Sequence, residues 1–395
     1  MRILVAAHNY PRFPGDPAGT YVRQLALGYR GRDHQVAVVV PHARETPEHE
    51  SENGVEVERF RYAPTALEQV GYRGEARLGR LLLGPTIVVL PSYLLAFRRA
   101  IRRSLSRFQP DIIHAHWWLP AGWLSANAGP PLVVTSHGSD VRLLERSGLL
   151  VRAARRVAAR AARWTAVSRF LAADLERRLS LPDHTVEVTP MPVDVALFEQ
   201  GRTVAKAAPP RVLYAGNLLP SKGVDVLIAA VALLRDRDID CQLRILGQGP
   251  ARDQLVAELR SLRLGDRVTV APFVPQSDMP REYGAATVTV LPTRGHAEGL
   301  GLGLVEALLA GSAVIGTPAG GIPEVVEDGV TGLLTPDGDA SALADRLARL
   351  LQDEPLRRRL TAQGSERVRG IYSLEASVDR FLTLFDAAVH HRRRN

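Results

Sequence analysis

Short runs of aliphatic and β-branched residues recur along the chain, each followed by a longer stretch in which apolar positions return every three or four residues. Residues 2–7, 35–40, 55–60, 111–115, 132–136, 163–167 and 186–189 read as strands. Strand followed by helix, repeated, predicts a parallel sheet covered on both faces. The alternation pauses over 199–210, which lacks periodicity and ends in Pro209-Pro210, so an interdomain linker is expected there. A second series begins with strands at 211–215, 241–246, 267–271, 287–291 and 313–316. The pattern therefore predicts an α/β chain with two doubly wound parallel-sheet domains, 1–198 and 211–372. Two such domains would face each other across a cleft at the carboxyl ends of their strands, where open α/β sheets bind ligands. A last helix near 374–390 precedes the basic run Arg392-Arg393-Arg394.

The chain has 395 residues, 46% hydrophobic and 23% charged, too long for one ordinary core and too apolar for wholesale disorder. A lone cysteine, Cys241, excludes an intrachain disulfide and suits a reducing compartment. The opening apolar run turns polar at His8-Asn9, too soon for a signal-peptide core. The stretch 81–97 is shorter than the ~20 residues of a membrane span and contains Gly84, Pro85 and Pro91. These features point to a cytoplasmic protein.

The net charge of +8 is concentrated in the amino-terminal half, where 73–107 carries eight arginines against Glu75 alone. The segment 142–178 adds ten arginines against Glu145, Asp174 and Glu176. A basic, partly apolar surface suits anionic lipid head groups, nucleic acid or acidic metabolites, and a solvated arginine face would look the same. No RNA-module signature accompanies it, so nucleic acid is not expected as a partner.

Two segments carry chemistry. In Glu298-Gly299-Leu300-Gly301-Leu302-Gly303-Leu304-Val305-Glu306 a Gly-rich loop runs into a helix, whose unpaired N–H groups and positive dipole end form a seat for phosphate. Glu298 lies in the loop, and Glu306, inside the helix, can accept from vicinal hydroxyls. The glycines alone would equally serve close helix–sheet packing; the glutamate pair makes the pattern more specific. In the second segment the strand at 211–215 ends at Gly216-Asn217, and Lys222 precedes a helix with Val224, Leu227, Ile228, Val231 and Leu234 on its core face. Lys206 and Lys222 are the two lysines among 50 Lys and Arg residues, so a compact ammonium at 222 stands out as a point charge for a diphosphate, the alternative being a solvated helix-start lysine.

Other signals are weaker. His114 and His116 share one strand face but have no third ligand at metal spacing, and the imidazole of His137, after a strand and before Gly138, can donate to a ligand hydroxyl or shuttle a proton, the alternative being a satisfied structural histidine. Asp236 to Asp240 contains Asp-x-Asp twice, in what reads as a surface turn. Gly247-Gln248-Gly249 is half of a dinucleotide fingerprint, with no full copy in the chain. Nucleophile-elbow and Walker motifs are lacking. Trp117, Trp118 and Trp123 are expected in the core, with stacking on a sugar or lipid ligand as the alternative.

The chain resembles the retaining glycosyltransferases of family 4, with the GT-B fold of two Rossmann-like domains, over nearly its whole length. Glu298 to Glu306 matches the family's Glu-x7-Glu signature, and Gly311, Gly320-Gly321-Ile322-Pro323-Glu324, Pro110 to His116, His137-Gly138-Ser139-Asp140 and Phe273-Val274-Pro275 are similar to further landmarks. The resemblance implies metal-independent transfer of a hexosyl group from a nucleoside diphosphate sugar to an acceptor hydroxyl, with retention and no cofactor. It implies that Lys222 holds the donor diphosphate, Glu298 contacts the transferred sugar, Glu306 binds the ribose, and Phe273 and Val274 meet the base. His137, Lys222 and Glu298 would be catalytic. Gly19, Gly216, Asn217, Gly299, Leu300, Gly301 and Leu302 would complete the donor site, with the loop at 14–19 approaching the phosphate. Residues 373–395 would pack back toward the amino-terminal domain. The sequence departs from the family at Asn217, where arginine is usual and Arg294 is the candidate substitute, and at Ala18, where a Gly-Gly pair is common.

A glycan, lipid-linked or small-molecule acceptor would fit such an enzyme, with the basic amino-terminal domain held peripherally on an anionic membrane, as in cell-envelope polysaccharide or glycolipid synthesis. A non-catalytic nucleotide-sugar-binding or regulatory protein of the same fold is the alternative.

Overall fold

Val36 to Val40 and Ile3 to Ala6 are apolar at successive positions rather than alternate ones, the mark of strands covered on both faces, and all are buried. The structure, a computed structural model, describes residues 1–16, 18–68 and 86–394, the side chains at 86, 87, 393 and 394 excepted. Pro17 and the part of the basic segment from 73 to 85 lie outside those residues, as do the first five positions of the apolar stretch 81–97. The chain folds as two units, Met1–Pro192 with Leu374–Asn395, and Val193–Ser373.

In the first unit eight strands form one sheet: β1 (Arg2–Ala6), β2 (Gln35–Pro41), β3 (His49–Glu52), β4 (Val55–Phe60), β5 (Ile112–His116), β6 (Leu132–Ser136), β7 (Arg163–Ala166) and β8 (Val186–Val188). Their order is β3-β4-β2-β1-β5-β6-β7-β8, parallel except for β3 against β4. The chain order reverses between β1 and β5. The helix Thr20–Gly31 buries Val22, Leu25, Ala26 and Tyr29, one stripe at helical spacing. The helix Thr86–Phe108 buries Val89, Tyr93, Phe97 and Ile101, and Phe97 stacks on Phe60 of β4 with ring centroids 4.6 Å apart. The last helix, Leu374–Arg394, belongs to this unit. Its Phe381 and Phe385 pack on Tyr29 and His114, and Val378 lies where a side chain on Gly28 would project.

The second unit holds β9 (Arg211–Ala215), β10 (Gln242–Leu246), β11 (Val268–Ala271), β12 (Val288–Leu291), β13 (Ala313–Gly316) and β14 (Leu333–Leu334) in the order β11-β10-β9-β12-β13-β14, all parallel. Here the reversal falls between β9 and β12. The strands β3 and β14 are additions to those the pattern predicts.

The segment 199–210, expected as a linker, is instead part of the second unit. It follows the short helix Val195–Glu199, and its cations clamp carbonyls of that unit: Arg202 Nε donates to Leu309 O at 3.0 Å, and Lys206 Nζ donates to Ala286 O at 2.8 Å and Gly311 O at 2.7 Å. These contacts explain its missing periodicity, because it is fixed by side-chain-to-backbone bonds instead of an apolar stripe.

Candidate active site

The crossing point between β9 and β12 is where a parallel α/β sheet opens a crevice beyond its carboxyl ends. The loops leaving these two strands carry Gly216 to Gly223 and Pro292 to Gly301. They are fastened to each other through main chain: Arg294 N donates to Ser221 O at 2.8 Å, and a Cβ on Gly223 would sit 2.0 Å from Pro292 O. Gly223 has φ 66° and caps the helix Val224–Asp236, so only glycine meets both demands. Gly247 and Gly249 press on Gly216 O and Leu218 O from the next loop. The partial dinucleotide pattern is thus a support for the 216–218 backbone.

Lys222 Nζ donates to Glu298 Oε2 at 2.9 Å and to Ala297 O at 3.0 Å, with both side chains only slightly exposed. The ammonium and the carboxylate therefore meet at the head of the Gly-rich loop. Gly301, at φ 90°, caps the helix Leu302–Leu309, whose first turn leaves N–H groups without intrahelical acceptors next to Gly299 and Leu300. The turn Gly320-Gly321 lies directly against the backbone of Glu298 and Gly299, where a Cβ at 320 would come within 1.8 Å of Glu298 O. Cation, carboxylate and helix start are therefore held by one stack of close-packed backbone.

Glu306 is half-buried in that helix. Its Oε2 accepts from Tyr283 Oη at 3.0 Å, while Oε1 stays open to solvent, free to accept from hydroxyls. Burial pushes its carboxyl up to about 7, against the lowering effect of the Tyr283 hydrogen bond. Beyond β11, Phe273 is 47% exposed and Val274 half-buried, on the loop leaving the outer strand of the same sheet. Asn217 is exposed, and its carbonyl accepts from Tyr214 Oη at 2.8 Å. Arg294 is not poised as a substitute for an arginine at 217. Its guanidinium donates to Asp225 Oδ2 at 2.5 Å and Pro220 O at 3.0 Å, bracing the loop instead.

In the first unit, Gly19 caps the helix Thr20–Gly31 at φ 68°, and a Cβ there would meet Asn9 O at 2.8 Å. His137 follows β6; its N–H and that of Gly138 donate to Asp140 Oδ1 at 3.0 and 3.1 Å. Its ring lies between aromatic neighbours, 4.4 Å from Trp117 and 5.0 Å from Tyr21 between centroids. Burial, with His116 and His8 adding to it, holds the His137 imidazole well below the ordinary histidine range, so it is neutral at pH 7.

The weaker signals resolve individually. His114 uses both ring nitrogens on Tyr29 Oη and Thr135 Oγ1, at 3.3 and 2.8 Å. Among the described residues no group of three or more His, Cys, Asp and Glu is arranged to hold a metal ion. Asp236 and Asp240 pair with Arg235 and Arg267. Trp117 and Trp118 are buried, but Trp123, expected in the core, is 44% exposed, because it opens a single helical turn facing the arginines of the helix Thr86–Phe108. Tyr283 and Asp225 escaped sequence reading; each lies on a helix far in sequence from the carboxylate or cation it contacts, and no local motif marks it.

Comparison with known proteins adds to this geometry. The family described as Glycosyl transferases group 1 matches residues 198–367, and that described as Glycosyltransferase Family 4 matches residues 18–197. The chain is 31% identical over 329 residues to a D-inositol 3-phosphate glycosyltransferase of Actinosynnema mirum, covering 76% of this chain and 78% of that protein. A protein of the same description from Salinispora arenicola is 32% identical over 381 residues, 86% of this chain and 84% of its own. In structure the chain is similar to a sucrose-phosphate synthase from Thermosynechococcus elongatus, with a TM-score of 0.78 at 23% identity over 98% of both chains. It is also similar to Anabaena HepE solved with UDP and glucose, with a TM-score of 0.72 at 20% identity over 98% of this chain and 100% of the other. With two parallel-sheet α/β domains, the Glu298 to Glu306 signature on the second and both family matches in place, the chain belongs to glycosyltransferase family 4 and is a glycosyltransferase of the GT-B fold.

Proposed function

We propose that the protein transfers a hexosyl group from a nucleoside diphosphate sugar to an acceptor hydroxyl with retention of configuration and without a metal ion. The observation that carries this reading is the meeting of Lys222, Glu298 and the Gly301-capped helix start on one fused pair of loops, with the open oxygen of Glu306 farther along the same helix. Lys222 and the N–H groups at Leu300 to Leu302 would bind the diphosphate, Glu306 the ribose, the Phe273-Val274 loop the base, and Glu298 and His137 the sugar. As the bond from the anomeric carbon to the phosphate oxygen breaks, negative charge grows on the diphosphate, and a fixed ammonium with oriented dipoles stabilises it without reorganising. The acceptor oxygen bonds to the anomeric carbon on the face that the phosphate leaves, and its proton passes to the departing phosphate.

The acceptor is assigned to the amino-terminal unit. Its helix Thr86–Phe108 exposes Val88 (77%) and Leu95 (48%) in line with Arg98, Arg99 and Arg102, and Arg98 and Arg102 border a groove that Trp123 closes. No helix among the described residues is long and apolar enough to cross a membrane. This face supports peripheral attachment at the cytoplasmic side of an anionic membrane, next to a lipid-linked acceptor; a glycan or small-molecule acceptor would not need it. Flotation with neutral and with anionic vesicles tests the attachment, and equal recovery in both would reject it.

A thermal-shift screen of UDP, GDP and ADP sugars identifies the donor. A Glu298→Ala variant is expected to bind that donor and lose transfer. Asn217, in place of the usual arginine, favours a second reading, a nucleotide-sugar-binding protein without transfer. Wild-type protein that releases no nucleoside diphosphate with any acceptor would support that reading over the first.

A further inference from the structure

His137 is held by another histidine. His116 ends β5, the next strand to β6, and its Nδ1 lies 3.1 Å from Nε2 of His137. Trp117 and Tyr21 pack on the His137 ring, so its plane is fixed as well as its contact. Both imidazoles are neutral: burial, with His8 adding to it, takes His116 down to about 3, and His137 also lies well below the ordinary range.

Two neutral rings in contact share one proton between the facing nitrogens, one donating and the other accepting. The far nitrogen of His116 decides which. That atom, Nε2, is buried and has no hydrogen-bond partner. A proton there would bury an unpaired N–H donor, whereas a bare lone pair is the more easily tolerated deficit. The proton of His116 therefore sits on Nδ1 and is donated to Nε2 of His137. His137 must then carry its own proton on Nδ1, an atom with no protein partner that is open to solvent.

We infer that His116 is a positioning residue that fixes His137 as the Nδ1–H tautomer, so that His137 offers its ligand a hydrogen-bond donor and no basic lone pair. The inference rests on the transferase reading only for the use of that donor, on a sugar hydroxyl or a phosphoryl oxygen. It removes His137 as a proton acceptor, since one nitrogen is occupied by His116 and the other is protonated. The acceptor's proton must go elsewhere, in agreement with its passage to the departing phosphate.

Long-range 1H–15N correlation on the labelled full chain, with His137→Gln to assign the signal, reads the tautomer directly. Wild type is expected to show Nδ1–H at His137. His116→Asn, whose amide can place a donor near the original Nδ1, keeps that tautomer; His116→Leu gives a mixture and lowers kcat about tenfold, with the donor KM unchanged, the scale of one hydrogen bond. An Nε2–H signal in wild type overturns the inference, as does a His116→Leu variant with the wild-type tautomer and kcat. Should His116→Leu not fold, the wild-type spectrum decides. Because the spectrum needs no turnover, failure of the transferase reading would show separately, as absent product with the tautomer still Nδ1–H.

Discussion

Replacing Lys222 by methionine keeps most of the aliphatic stem and deletes the ammonium. In the structure that ammonium donates to Glu298 Oε2 at 2.9 Å and Ala297 O at 3.0 Å, leaving a third N–H for a ligand. A charge-assisted hydrogen bond to a diphosphate contributes about 1.5 to 3 kcal/mol. Because Glu298 already neutralises part of the charge, the lower figure applies, which is about a tenfold rise in the Kd for nucleoside diphosphate. A second effect adds to it: without Lys222, the Glu298 carboxylate faces an anionic ligand uncompensated, and its repulsion raises the loss toward about 100-fold. The double variant Lys222→Met with Glu298→Gln separates the two, since it should recover the repulsive part and return to a loss of about tenfold. Titration calorimetry with the nucleotide chosen by the thermal-shift screen measures all three. A Kd within twofold of wild type in the Lys222→Met protein would refute the assignment of the diphosphate to this cation.

Three further outcomes follow from the same site. The carboxyl of Glu306 is raised from 4.5 to about 7 by burial, so its contribution to stability is full below about pH 4.5 and is lost as pH rises through about 7. Urea unfolding across that window should show a declining stability that Glu306→Gln flattens; equal slopes would contradict the assignment. Tyr283→Phe deletes the hydrogen bond that holds the Glu306 carboxyl down, so the pH midpoint of nucleotide binding should move upward, as binding titrations at several pH values would show. Gly223→Ala should cost about 2 kcal/mol or more, from a left-handed backbone at φ 66° and a Cβ 2.0 Å from Pro292 O, while Gly295→Ala, at φ 57° with open space around it, should cost only about 1 kcal/mol. Thermal melts of the pair test whether the loop contact or the backbone angle dominates.

Strands that are buried on both faces announced themselves. Ile3-Leu4-Val5 and Val38-Val39-Val40 have no polar interruption, and nearly every strand expected from such runs is present to within a residue. The missed strand β3 is His49-Glu50-Ser51-Glu52, an edge strand with no apolar residue for the pattern to detect. Its signal lay in the turn, because Asn53 and Gly54, both at positive φ, form the Asn-Gly pair that favours a tight hairpin. The domain boundary falls at Pro192 rather than at 199, after Pro190-Met191-Pro192, a punctuation that the proline pair at 209–210 had overshadowed.

At the candidate site the sequence exposed whatever is written locally: the two glutamates on one loop and helix, the glycines at the helix start, and a lysine rare for this chain. Contacts made across the sheet were not legible. The Arg294 to Asp225 brace, Tyr283 on Glu306, and His116 behind His137 depend on which strands become neighbours, and residue spacing does not encode that.

The floor beneath Lys222 and Glu298 is fastened by main chain meeting main chain, at Gly223 on Pro292, Gly247 on Gly216, Gly249 on Leu218 and Gly320 on Glu298. Side chains projecting from that floor can therefore change during evolution without disturbing its architecture. Asn217 is such a position: exposed, with only its carbonyl engaged by Tyr214, it can replace an arginine and leave the loop intact. A scaffold of this kind separates durability from selectivity: side chains on its surface can be exchanged while the proposed diphosphate seat at Lys222 and the Gly301 helix start keeps its shape.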